Sequence, residues 1–147
     1  MSFTTLAQFC NFLQFQFSKE TKLPMKFYWN MPAGLKACYN DEIRSYGQQM
    51  ELGNLPAAWR HLERAHVLGQ SWPREHNYSH WLMLKFGIKI KDRREIIGQI
   101  PRLLVGGVKS FVGTIPTGNT GGANVPPLRP MEIPEDLVLL LDRYKKP

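Results

Sequence analysis

From Asn54 to Ile90 the sequence starts, stops and restarts a helical pattern with few residues to spare. That punctuation constrains the fold more than any other feature of the chain. Ala58, Trp59, Leu62 and Ala65 recur at helical spacing in a segment over Leu55 to Leu68, with Asn54 as its N-cap, Pro56 in its first turn and Gly69 as its stop. The connection "SWPRE" follows, and Pro73 is placed to open a third helix over about Arg74 to Ile90. So short a turn folds one helix back along the other. Upstream, Leu35, Ile43, Tyr46 and Met50 share one face of a helix that ends at Gly53. Downstream, Asp92 and Glu95 form an acidic capping box for a fourth helix, which Pro101 should kink and Gly106 and Gly107 should end. The expected fold is all-α: four to five helices in antiparallel hairpins, with no sheet.

Two segments fall outside this pattern. Residues 1–30 are rich in Phe and carry few helix signals, so they read as an N-terminal extension to a single helical domain over 31–147. From Gly113 to Pro134 the chain is dense in Gly and Pro, with Val125, Leu128, Met131 and Ile133 as apolar anchors and no block of charge. A long segment of this kind within a small domain is expected to be an ordered wrap over the helices. "PEDLVLLLDRYKK" closes the chain as a short helix, acidic in its first turn and basic in its last.

Charge and cysteine content bound the function classes. Nineteen Lys and Arg against twelve Asp and Glu give a net charge of +7, which favours acidic peptides or proteins as partners. In the basic run from Lys85 to Arg94 aromatics do not alternate with the charges, Phe86 being the single one, which argues against a nucleic-acid stacking surface. Two cysteines, Cys10 and Cys38, are too few for a disulfide framework, and the opening residues lack the early positive charge of a signal peptide. No run is long and apolar enough to span a bilayer. The cytoplasm is the expected compartment.

All four histidines lie between His61 and His80. His76 and His80 are one turn apart on one helix face. In a hairpin, residues equidistant from the turn lie at the same height; His66 and His76 are each five residues from Ser71, and Glu63 and His80 are nearly matched. Glu63, His66, His76 and His80 can therefore converge, and three imidazoles with a carboxylate suit a divalent metal ion such as zinc or iron. Gln70, Glu95, Gln99, Arg102 and Asn119 would then be supporting or ligand-contacting groups. His61 points elsewhere. A second reading needs no ion: the histidines are partly buried struts, hydrogen-bonded to Glu63, Gln70, Gln99 and Asn119 and tying the Gly-rich segment to the hairpins. From sequence alone that simpler reading takes precedence. "GNTGGA" lacks the Lys-Ser/Thr of a phosphate loop and is read as a turn, and Trp59, Trp72 and Trp81 as packing residues.

Two resemblances bear on this. Gly53, Ala58, Leu62 and Ala65 resemble the second half of one tetratricopeptide repeat, which makes a protein-interaction module with structural histidines the alternative function. "HLERAHVLGQ", "SHWLML", "GQIPRLL" and "GNTGGANVPPLRPMEIPEDL", in this order, resemble the bacterial domain of unknown function 3703 family (DUF3703) over roughly Tyr39 to Leu141. That resemblance implies a small bacterial helical protein and carries no activity with it.

Overall fold

The computed structural model describes residues 30–106 and 117–144. The Phe-rich extension up to residue 29, and Gly107 and residues 113–116 of the Gly/Pro segment, lie outside the described residues. Among those described there are five helices and no strand: α1 (Ala33–Glu51), α2 (Leu55–Gly69), α3 (Pro73–Ile90), α4 (Arg93–Gly106) and α5 (Glu135–Arg143). Successive helices pack against each other from α1 to α4, and α5 returns to pack on α2. None is long and apolar enough to cross a membrane.

The helix boundaries follow the punctuation of the sequence. The Asn54 side chain accepts from Ala57 N, and Pro56 occupies the first turn of α2. Helix α3 ends where Lys91 takes a left-handed conformation with φ +59°, letting Asp92 N donate to Gly87 O. Asp92 Oδ1 then caps α4 by accepting from Arg94 N at 2.9 Å and Glu95 N at 3.1 Å. Only this half of the expected capping box forms. The Glu95 side chain turns inward to Gln99 and Ala123, because its helix face is the one packed against α3. Helix α4 continues through Pro101 to Gly106.

Two apolar clusters hold the bundle. Leu35, Tyr39, Ala65, Val67, Leu68, Trp72 and Leu137 join α1, α2 and α5. Ala58, Leu62, Leu82, Met83 and Phe86 join α2 to α3, and Ile43 of α1 packs against both clusters. Arg64 adds an ionic clasp, donating to Glu42 on α1 and Asp136 on α5. Trp59 tilts against Phe86, whereas Trp81 is 48 % exposed, contrary to the expectation of a packing role. The reason is rotation: Trp81 follows His80 directly, and one residue of helix turns it about 100° away from the buried face.

A buried three-histidine centre

Helices α2 and α3 approach closely enough for their histidines to meet. A Cβ placed on Gly69, the last residue of α2, would lie 3.1 Å from both Glu75 C and His76 N. The lack of a side chain at Gly69 thus brings the start of α3 against the end of α2. His66, His76 and His80 converge beyond this crossing, and all three are at most 5 % exposed. Their ring centroids stand 4.4, 4.6 and 4.6 Å apart, nearly an equilateral triangle. One nitrogen from each ring lies within 4.8 Å of the other two. Among the described residues this is the one such group of three.

Hydrogen bonds fix the protonation of two of the rings. His66 Nδ1 is 2.9 Å from the carbonyl oxygen of Asn119, a group that can only accept. That nitrogen therefore carries the hydrogen. His80 Nδ1 is 2.8 Å from Gln99 Oε1. The Gln99 amide cannot be reversed, because its Nε2 donates to Glu95 Oε1 at 2.5 Å and to Gly121 O at 2.9 Å, both acceptors. His80 Nδ1 is therefore also N–H. With both Nδ1 atoms donating, the neutral rings direct Nε2 lone pairs into the centre, where His66 Nε2 and His80 Nε2 are 3.2 Å apart.

The remaining sequence-selected residues fall into two layers. Gln70 donates to Asn119 O and accepts from Gly118 N. Asn119 donates to the carbonyls of Pro126 and Arg129 and accepts from Gly121 N, shaping the turn whose own carbonyl meets His66. Arg102 donates to Gly98 O on its own helix and to Gly122 O and Val125 O, so it contacts backbone rather than the centre.

Glu63 stands outside the group of mutually close nitrogens. Burial pushes its carboxyl above the usual range; Thr120, Trp59 and Arg60 oppose the shift, and Glu95 adds to it. His61 leaves the centre altogether and bonds Glu42 Oε2 through Nδ1 at 2.7 Å.

Sequence reasoning missed two features. Gly121, at φ +85°, lies flat on the His66 ring: a Cβ there would be 2.6 Å from His66 Cδ2. Only the Gly-rich composition signalled such an approach. The second is a buried network in which Tyr39 Oη donates to Glu75 O, lies 3.1 Å from the Ser79 hydroxyl, and adjoins the Lys36–Glu75 ion pair. Burial raises the Tyr39 phenol far above its ordinary pKa, so it acts as a permanent donor. This network anchors α1 to α3 beside His76.

Set against known proteins, residues 33–141 match a family model described as "Protein of unknown function (DUF3703)". No curated protein and no solved structure matches the chain.

Proposed function

For this chain, which belongs to the DUF3703 family, we propose that the protein binds one divalent metal ion, zinc or iron, through His66, His76 and His80. The observation that carries the reading is the pair of Nε2 atoms facing each other at 3.2 Å with both Nδ1 atoms committed as donors. Two lone pairs at that separation repel unless a cation or a proton lies between them. A proton joins two nitrogens, whereas the centre gathers three. An ion joins all three: tetrahedral metal–nitrogen bonds of about 2.0–2.1 Å place neighbouring ligand atoms roughly 3.3 Å apart. Two of the three rings also have the outer bonds that metal-binding histidines need, His66 through an N–H to the Asn119 carbonyl and His80 through an N–H to the Gln99 amide oxygen.

Glu63 is proposed as a fourth, anionic group that approaches the ion directly or through water. Burial pushes its carboxyl above the usual range, and an adjacent cation would offset that penalty. Burial of all three imidazoles suits a site that holds an ion, and in this reading Gln70, Glu95, Gln99, Arg102 and Asn119 support the site from outside. The test is elemental analysis of protein purified without an affinity tag, expected to find about one equivalent of metal. Metal-free protein that gains no thermal stability from zinc, iron, copper, nickel or manganese would overturn the proposal. The histidines would then be hydrogen-bonded struts, and an interaction module for acidic peptides the preferred function.

A further inference from the structure

The segment from Thr117 to Val125 has little structure of its own. Its only backbone–backbone bonds among the described residues are Val125 N to Gly122 O and Met131 N to Thr117 O. It is held instead by side chains from two helices, with a third joined through one of them. Helix α2 supplies His66, donating to Asn119 O; Gln70, bonded to Gly118 N and Asn119 O, follows at its end. Helix α4 supplies Glu95, accepting from Ala123 N at 2.9 Å, Gln99, donating to Gly121 O, and Arg102, donating to Gly122 O and Val125 O. Helix α3 joins indirectly, as His80 donates to the same Gln99.

We infer that this segment is a strap whose closure is coupled to the ion: metal on the imidazoles tightens it, and its opening sets the rate at which metal enters and leaves. The inference rests on the metal reading above and concerns the regulation of that site. Two of the three imidazoles reach the strap through the ring nitrogen opposite the centre, His66 directly and His80 through Gln99. A cation on Nε2 withdraws electron density from the ring and makes Nδ1–H a stronger donor, as hydrogen bonds from charged donors are stronger than neutral ones. Both connections into Asn119 and Gly121 therefore strengthen on loading. Gly121 covers one face of His66, and all three rings are nearly inaccessible, so an ion cannot reach them unless something moves. Displacing a helix would break an apolar cluster. Lifting the strap breaks a handful of hydrogen bonds, which makes it the least costly local opening.

The test uses the full chain and zinc ion alone. Amide hydrogen exchange is followed in peptides covering 117–125, with those of α5 as internal control, and zinc release is timed into a chromogenic chelator. Zinc is expected to slow exchange in the strap about tenfold or more, with little change in α5. Arg102→Ala, which loses two bonds to the strap and none to a histidine, is expected to take up zinc and release it about tenfold faster. Wild-type protein that binds zinc with unchanged exchange in the strap overturns the coupling while leaving the metal site intact. So does release from Arg102→Ala at the wild-type rate. Should that variant fail to fold, the wild-type exchange comparison decides alone. No zinc binding under any condition overturns the metal reading and the strap together.

Discussion

His66 and His80, on different helices and fourteen residues apart, each donate Nδ1–H outward and meet Nε2 to Nε2 at 3.2 Å. If His80 turned away, Gln99 Oε1 would lose this bond, and if His66 turned away it would give up its bond to Asn119 O, which Gln70 Nε2 also reaches. The positions of these two rings are thus set by the protein's own hydrogen bonds.

If the ion is held as proposed, His76→Ala and His80→Ala each lose it, while His61→Ala retains about one equivalent because its ring is bonded to Glu42 on α1. Affinity in the wild type should fall as pH drops toward about 6.5 and below, where protons compete for imidazole nitrogens. Elemental analysis of the variants and zinc titration across pH check both outcomes.

Replacing Gln99 by Leu removes a side chain that is fully buried and serves three groups: His80, Glu95 and Gly121 O. Each buried partner left unsatisfied costs about 1–3 kcal/mol, so the variant should be destabilised by several kcal/mol in denaturant melts. Metal affinity should weaken by about 10–100-fold through the freed His80 ring, the usual effect of removing an outer partner. Unchanged affinity in a folded Gln99→Leu protein would show that His80 is not oriented by this bond.

Glu63 offers a pH test with a definite sign. Its carboxyl is raised above the ordinary value by burial, so its protonated form favours folding. That contribution is fully present below the unfolded-state value, about 4.3, and is lost as pH rises through the higher folded value. Glu63→Gln should therefore raise the melting temperature of metal-free protein at neutral pH and have much less effect near pH 4. With metal bound the sign should reverse at neutral pH, since a charge beside the ion is removed. Thermal melts of both proteins, with and without zinc, read all four conditions.

Lys91 ends α3 at φ +59°, a conformation that costs a non-glycine residue about 1 kcal/mol. Lys91→Gly should stabilise the protein by roughly 0.5–1 kcal/mol, measured by chemical denaturation. A destabilised variant would show that the lysine stem contributes more than the backbone strain removes.

Much of the fold was legible because its information is local. Gly53, Asn54, Pro56, Gly69 and Pro73 each act within a turn of where they stand, through capping, a fixed φ or a missing side chain, and together they delimit α1, α2 and α3. The three-histidine register was legible for the same reason. A short hairpin fixes which residues face each other, and counting outward from Ser71 pairs His66 with His76.

The turn alone could not place Glu63, whose carboxylate is not among the ligand atoms that the three imidazoles bring together and which has Thr120 beside it. Nor did the sequence show that Glu95 would abandon its capping role, or that Gly121 would lie on His66. Those outcomes depend on contacts between α4, the strap and the helices before them, across dozens of residues of chain. Local pattern set which elements exist and where they turn. Only tertiary packing decided the hydrogen on the His66 and His80 rings, because a histidine's tautomer is chosen by the acceptor beside it, and here those acceptors come from remote parts of the chain.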